Sequence, residues 1–490
     1  STTVCNAYVQ PLVDHYLEEM ERALAARGFA GGFFLMQSTG AVTSPQVARQ
    51  LPVRLLESGP AGGALAAAYF GERIGRPDLV AFDMGGTTAK ICVIEDGRPE
   101  VAASVEVARV HRFKRGSGLP VRTPVVEMIE IGAGGGSIAR LDAMGLMRVG
   151  PESAEASPGP ACYGFGGTEA TVTDACVVLG YFDPAAFLGG TMPVDRQAAV
   201  DAVTRIGAQV GLDGATAAWG ILSIVCENMA QAARVHIIER GQDPRRYALM
   251  GFGGAGPATA ARVARLLGMR EVIIPRASGL ASALGLLVAP LGFDLVHSLV
   301  GDLEHLDWTQ VDGLLRALEE RGRRQLHDAG APAAAVACER YVAMRYEGQF
   351  HEIEIPVPDG AVSAGLAAAL REQFLGEYGR LYGITLNGYP IQTLNWRVLL
   401  RGPRPPVEVG TAPAGSAADA QTGQRRAYFA EAGGFVAVPV FERDRLAAGA
   451  SIPGPALVEE REATAVVGVG DRLTVDAMGN LVILVGGSRA

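Results

Sequence analysis

Residues 79–97 read "LVAFDMGGTTAKICVIEDG": an apolar run, one acid, two glycines, two threonines, then a second apolar run closed by Asp-Gly. Apolar runs of this length, bounded by turn residues, predict two buried strands joined by a tight turn. The turn's composition suits an anion. Glycines let backbone approach a phosphate and aim N–H groups at it, and the hydroxyls of Thr87 and Thr88 can donate to its oxygens. Asp83 does not belong against phosphate, since like charges repel. Its place in such an arrangement is on Mg2+, or on a metal-bound water that bridges to the phosphate. The same residues also describe a plain β-hairpin with an Asp-initiated turn, and the motif alone leaves both readings open.

A second glycine turn, "MGFGGAGPATAARVA" from Met250, lies between a predicted strand, "YALMGF", and a predicted helix, Ala258–Leu267. Gly253, Gly254, Ala255 and Gly256 permit close backbone approach, and the helix N-terminus adds a positive dipole end. The turn suits the adenosine or α-phosphate side of a nucleotide; a tightly packed strand-to-helix turn is the alternative. It is not a Walker A loop, because no Lys-Ser or Lys-Thr follows. "GAGGGS" at 132–137 nominally matches a dinucleotide fingerprint but lacks a clear acid ending the next strand, and is set aside.

Outward from these turns, short β-like runs alternate with helices as far as about Val300, an α/β plan. A helix over Pro11–Arg27 stops at Gly28, "GFFLMQS" reads as a strand, and an all-round apolar helix covers Ala217–Arg240. Beyond residue 300 the pattern changes. A helix is predicted near Trp308–Ala329 and an antiparallel hairpin over "CERYVAMRYEGQFHEIEIPVP". Short strands between Pro/Gly turns follow, with an exposed loop at 402–424. The expected domains are therefore 1–300 and a strand-rich α+β region, 301–490.

Of the 490 residues, 49% are hydrophobic and 19% charged, enough to bury a large core. A net charge of −9 argues against nucleic acid as the main partner. The six cysteines form no CxxC pair, and the seven histidines show no zinc-ligand spacing. The most apolar stretches, such as Ile221–Val225 and Gly285–Leu291, are too short to span a bilayer. A disulfide framework is improbable at this size and no signal peptide is visible, so a cytoplasmic location is expected; the start at Ser1, without an initiator Met, leaves processing or a missing N-terminal block open.

The order strand–DxGGT–strand, then strand–GGxG–helix about 170 residues later, resembles the second phosphate loop and adenosine loop of the actin, sugar-kinase and Hsp70 ATPases. Longer segments narrow the resemblance: "SGPAGG", "FDMGGTTAK", "EIGAGGGSIA", "GPESAEASPGPACYGFGGTEATVTDA", "ERGQDPRRYALMGFGGAGP", "ASALGLL", "RYEGQFHEIEIPVP" and "VEEREATAVVGVGDRLTVDAMGNLVIL". In this order, over nearly the whole chain, they are similar to the hydantoinase A/5-oxoprolinase family. The resemblance implies an actin-like (ribonuclease H-like) ATPase core, N-terminally incomplete here, with a strand-rich C-terminal domain. It implies ATP and Mg2+ as cofactors, a cyclic amide, imide or ketone as substrate, and a hetero-oligomer with a hydantoinase B-like subunit. The implied chemistry is phosphorylation of a carbonyl oxygen, which makes a poor electrophile reactive; an acetone or acetophenone carboxylase subunit is the variant within the class. Family members carry a further DxGGT-like block ahead of this one. With a single DxGGT turn in the chain, catalysis by the chain alone is doubtful, and a non-catalytic scaffold subunit is the reading from another class.

Asp83, Gly85, Gly86, Thr87 and Thr88 are thus the candidates for Mg-phosphate binding, with Asp83 both metal ligand and catalytic. Gly253, Gly254, Ala255 and Gly256 are the adenosine-loop candidates. Asp174, in "TVTDA", is the second catalytic candidate, as a base or orienter of a metal water; capping the helix that follows is its structural alternative. Lys90 can reach phosphate or sit in solvent. Glu127 and Glu130 read as a solvated strand face more readily than as a metal pair. His111, Arg112, Lys114 and Arg115 form a basic cluster open to a phosphate or carboxylate. Cys162 reads as a buried structural cysteine, and Glu239–Arg240 as pocket lining or an ion pair. Two departures stand out: Glu155 in "SAEA" and Thr259 in "GGAGPATA" replace a glycine and a histidine common in similar sequences.

Overall fold

Three apolar runs form the centre of the architecture: β1 (Leu79–Met84), β4 (Ala248–Phe252) and β5 (Glu271–Ile274), almost unbroken in burial as parallel strands covered on both faces require. The computed structural model of the chain describes residues 1–108, 116–332, 335–386, 388–412 and 416–486. The basic stretch His111, Arg112, Lys114 and Arg115 lies outside them. Contacts group the chain into two compact units, each assembled from three segments.

The larger unit comprises 59–101, 126–287 and 407–490. Its elements around the glycine turns are α1 (Ser58–Arg73), β1, β2 (Ala89–Glu95), β3 (Ile129–Ile131), α2 (Val172–Val178), α3 (Gly214–Ile238), β4, α4 (Gly256–Leu267), β5 and α5 (Ala281–Val288). Late in the chain come β6 (Ser451–Pro453), β7 (Arg472–Val475) and β8 (Leu481–Leu484). They build a nine-stranded mixed sheet in the order β3-β2-β1-β4-β5-β8-β7-β6, with Arg98–Pro99 paired to β2. β1 and β2 form the predicted hairpin, with Asp83 opposite Lys90 and Met84 opposite Ala89. β4 runs parallel to β1, with Phe252 opposite Asp83. The C-terminal strands therefore finish the sheet that carries the first glycine turn: β8 pairs antiparallel with β5, Glu271 opposite Leu484. α3 packs among α2, α4 and an amphipathic helix, Arg196–Gln209, and leaves exposed only a stripe along its C-terminal half, Asn228, Gln231, Val235 and Ile238. A separate four-stranded sheet uses Gln421–Phe429, Gly434–Glu442, Ala456–Glu459 and Thr464–Val467. The irregular stretch expected at 402–424 is shorter than that. A capping box between Ser416 and Asp419 opens a short helix, Ala417–Ala420, and the strand starts at Gln421.

The smaller unit comprises 1–58, 102–125 and 288–406. It holds the N-terminal helix, Thr2–Ala26, and a four-stranded antiparallel sheet. The expected hairpin is present as Ala337–Tyr346 against Ile353–Pro356. Helices Trp308–Asp328 and Leu366–Tyr382 supply Leu315, Leu326, Leu370 and Phe374 to a core shared with Tyr346 and Trp396. No single helix among the described residues is long and apolar enough to cross a membrane.

Candidate functional site

β1 ends at Asp83 and Met84, and the turn that follows closes with the Gly85 N–H donating to the Thr88 carbonyl (3.1 Å). Gly86 and Thr87 are exposed. A Cβ on Gly85 or Gly86 would meet nothing within 4 Å, so what glycine leaves here is open space in front of the turn.

Behind the turn stands the "GAGGGS" loop that the sequence reading set aside. Gly135 N–H donates to the Gly85 carbonyl (3.0 Å) and Gly136 N–H to the Gly86 carbonyl (2.6 Å). A Cβ on Gly134 would stand 2.5 Å from the Gly86 carbonyl oxygen, so the two backbones are in direct contact. Thr173, in the first turn of α2, fastens the loop in turn, its N–H (2.7 Å) and hydroxyl (2.9 Å) both donating to the Gly135 carbonyl. The run's function is thus to brace the phosphate-loop candidate, which no spacing rule would disclose.

The second glycine turn meets the first. Ala255 N–H donates to the Met84 carbonyl (3.0 Å), and Gly253 N–H to the Ser278 carbonyl (3.0 Å). Gly253 has φ +83°, and a Cβ there would stand 2.5 Å from Asp83 Oδ1. Gly254 is exposed, with only the Glu462 carbonyl oxygen 3.7 Å from where its Cβ would lie. Gly256 begins α4, whose N-cap residue Ala255 offers no side-chain oxygen to the first-turn N–H groups. Thr259 is buried beneath, donating to the Gly256 carbonyl (3.1 Å) and the Met84 sulfur (3.3 Å).

Asp83 sits partly buried at this junction. Burial raises its carboxyl above the ordinary range, while a hydrogen bond from Ser282 and the charge of Lys90 oppose that shift. The Ser282 hydroxyl donates to Asp83 Oδ2 (2.9 Å). Ser282 gets there because α5 crosses α1 at glycine: a Cβ on Gly62 would lie 2.8 Å from the Ser282 carbonyl oxygen. The quoted segments "SGPAGG" and "ASALGLL" are therefore the two halves of one helix crossing that supports Asp83. Lys90 donates to Thr88 Oγ1 (2.9 Å) and pairs with Glu130 (3.3 Å). Behind the second turn, Glu460 accepts from the Ser278 N–H (3.1 Å) and hydroxyl and lies 3.6 Å from Arg443. Burial drives the Glu460 carboxyl upward. Ser278, Ser282 and Glu460 escaped the sequence reading because their partners lie about 180–200 residues away.

Asp174 is adjacent in the chain to Thr173 but turned to other work. It is fully buried at the third position of α2 and completes a capping box with Thr171. Its carboxylate accepts the N–H groups of Ala161 (3.2 Å), Cys162 (2.8 Å) and Thr171 (2.9 Å) and the Thr171 hydroxyl (2.7 Å). Both oxygens are engaged in holding structure, which is the capping alternative. Glu127 pairs with Arg240, which also binds Glu100 (2.8 Å). Cys162 is buried, its thiol pushed far up by desolvation, which makes it a poor nucleophile.

The mixed sheet carries its two glycine turns facing each other at the C-terminal ends of adjacent parallel strands, the arrangement expected of an actin-like core. The chain matches the hydantoinase/oxoprolinase model over residues 1–294 and the hydantoinase/oxoprolinase C-terminal domain over 306–482, and it belongs to that family. It is 34% identical over 470 residues to the uncharacterized protein MJ0964 of Methanocaldococcus jannaschii, covering 95% of this chain and 67% of that protein. To the caprolactamase alpha subunit of Pseudomonas jessenii it is 33% identical over 482 residues, covering 97% and 68%. The crystal structure of that ATP-dependent caprolactamase matches with a TM-score of 0.83 at 32% identity, over 99% of this chain and 70% of that one. Nucleotide-free acetone carboxylase matches with a TM-score of 0.79 at 26% identity, over 96% and 66%. The chain thus spans about two thirds of the length of these relatives.

Proposed function

We propose that the chain is the nucleotide-binding subunit of an ATP-dependent enzyme that phosphorylates the carbonyl oxygen of a cyclic amide or imide of the hydantoin or 5-oxoproline type. One observation carries this reading. Glycine turns about 170 residues apart meet at the C-terminal ends of adjacent parallel strands, with open space before Gly85, Gly86 and Gly254. That edge of a parallel sheet is where α/β folds bind ligands. The likeness to an ATP-dependent caprolactamase supports it.

In this reading the turn holds the β- and γ-phosphates through the N–H groups of Gly86 and Thr87, the Gly85 N–H being engaged within the turn, and through threonine hydroxyls. The Gly253–Gly256 turn and the α4 N-terminus take the adenosine and α-phosphate side. The donor set fits Mg2+. It offers the Asp83 carboxylate, on the strand that leads into Thr87 and Thr88. Mg2+ keeps several waters and takes one or two carboxylates plus phosphate oxygens. When bound, it neutralises charge on the phosphoryl group. Ser282 fixes the Asp83 carboxylate, and Asp174 positions α2 rather than moving a proton. In the transfer, a bond forms between the carbonyl oxygen and the γ-phosphorus, the bond to ADP breaks, and the amide proton leaves to solvent. The carbonyl carbon becomes electrophilic and phosphate a good leaving group. A hydantoinase B-like subunit completes hydrolysis, in the cytoplasm.

A second reading, the ATP-using subunit of a ketone carboxylase, has the likeness to acetone carboxylase in its favour. Calorimetry of the purified chain with ATP, with and without Mg2+, tests the nucleotide site. ADP release by the co-purified complex, driven by a lactam or by acetone with bicarbonate, separates the two chemistries. Absence of nucleotide binding by both chain and complex refutes the proposal.

A further inference from the structure

Lysine is nearly absent from this protein. Of its 43 lysines and arginines only two are lysine, Lys90 and Lys114. Arginine supplies the rest, so a lysine beside the phosphate-turn candidate marks a place for a compact, mobile ammonium rather than a broad planar head. From the second strand of the hairpin, that ammonium reaches back two residues and donates to Thr88 Oγ1 (2.9 Å). Its other contact runs across the sheet to Glu130 of β3 (3.3 Å). The register makes these residues part of a row. Asp83 on β1 opposes Lys90 on β2, and Lys90 opposes Glu130 on β3. Directly opposed residues share one face of a sheet, so the charges alternate along the row with the cation in the middle.

The Lys90 side chain is 25% exposed and that of Glu130 47%. The pair therefore opens to solvent instead of closing a core, and such a pair contributes little to stability. An ammonium has three donors, and two are engaged, by Thr88 and Glu130. The Thr88 hydroxyl, accepting from Lys90, can give its own proton to an oxygen in front of the turn. The ammonium thus stands one hydroxyl away from any phosphate oxygen that Thr88 holds. Strand order decides which phosphate that is. The second glycine turn follows β4, and β1 and then β2 lie beyond it in the sheet. Two strand spacings, about 10 Å, separate β4 from β2. A nucleotide laid from the second turn to the first brings the phosphate furthest from its adenosine to Thr88 and Lys90.

We propose that Lys90 is a specificity-determining residue of the nucleotide site: its ammonium leaves Glu130 for the terminal phosphate of ATP and returns to Glu130 when only ADP is bound. This rests on the nucleotide reading above. Glu130 offers the ammonium one negative charge, and a terminal phosphate offers more charge at a similar distance. ADP ends short of Lys90, and Glu130 keeps it. The pair thereby favours the triphosphate and lets the diphosphate go.

Calorimetry of the co-purified complex, and of the chain by itself, with ADP and with a non-hydrolysable ATP analogue, each with Mg2+, tests this. Lys90→Met should weaken analogue binding about tenfold, as expected for loss of a unit charge a few ångströms from phosphate in partial solvent. ADP binding should change less than about twofold. Glu130→Gln frees the ammonium and should tighten analogue binding about threefold. In the Lys90→Met background the same substitution should have no effect. Scanning fluorimetry follows folding: a purely structural pair would lower stability and weaken both nucleotides alike. An analogue-to-ADP ratio unmoved by Lys90→Met overturns the proposal and leaves the nucleotide reading standing. So does analogue binding unchanged by Glu130→Gln, or a Glu130→Gln effect that persists without Lys90. Binding of neither nucleotide by wild-type chain or complex refutes the nucleotide reading, and the proposal with it.

Discussion

Valine at position 254 and alanine at position 253 should have opposite consequences, although the two glycines are neighbours. Gly253 sits at φ +83°, and its Cβ would lie 2.5 Å from both Asp83 Oδ1 and the Met84 carbonyl oxygen. The left-handed backbone costs about 1–2 kcal/mol for a non-glycine residue, and relieving the collision adds about 1–3 kcal/mol. Gly253→Ala should therefore destabilise the fold by about 3 kcal/mol and lower the thermal midpoint by roughly 3–5 °C. Gly254 has no left-handed φ and only the Glu462 carbonyl oxygen, 3.7 Å away, near its Cβ position. Gly254→Val should leave stability within about 0.5 kcal/mol of wild type. Its methyl groups enter the space assigned to nucleotide, so affinity for Mg-ATP should fall about 100-fold, or about 2.8 kcal/mol. Scanning fluorimetry reads the first quantity and calorimetry the second. A Gly254→Val protein that binds nucleotide as wild type does refutes the assignment of that open face. A Gly253→Ala protein of undiminished stability refutes the close approach to Asp83.

Asp83→Asn should abolish the Mg2+-dependent part of nucleotide affinity without lowering stability at neutral pH. The folded-state pKa of Asp83 is raised by burial, so its contribution to stability is full below the unfolded pKa and lost as pH rises through the folded one. The variant should lack that loss, which urea titrations across acidic pH can follow. Asp174→Ala strands the buried N–H groups of Ala161, Cys162 and Thr171. A cost of about 3–5 kcal/mol is expected, with nucleotide affinity of the folded fraction unchanged; selective loss of turnover at normal stability would restore Asp174 as a base. Cys162 should resist iodoacetamide in the native state at pH 8, because desolvation holds its thiol protonated; mass spectrometry showing its rapid alkylation would contradict the burial.

What was legible in the sequence was local. Strand–turn–strand at 79–95 and strand–turn–helix at 248–267 are written in contiguous apolar runs and glycines, and both formed as read. Helix ends were less so: the apolar helix read as Ala217–Arg240 spans Gly214–Ile238, its start set by the Asp213 cap. The bracing of the first turn by 134–136, the hydroxyl of Ser282 on Asp83 and the Glu460–Ser278 contact were not legible. Each joins residues far apart in the chain, and no periodicity encodes which distant backbone will arrive. Asp174 illustrates the converse. Its two possible roles call for the same residue beside the same threonine, and only the direction of its carboxylate separates them.

The union of β5 with β8 bears on how the protein is made. The strand at 271–274 leaves the ribosome some two hundred residues before its partner at 481–484. During synthesis its free edge stays open to adventitious pairing, and cooperative closure of the sheet waits until residues 481–484 have emerged. Chains truncated between residues 300 and 480 should therefore be insoluble rather than partly working, which fractionation of expressed truncations can check.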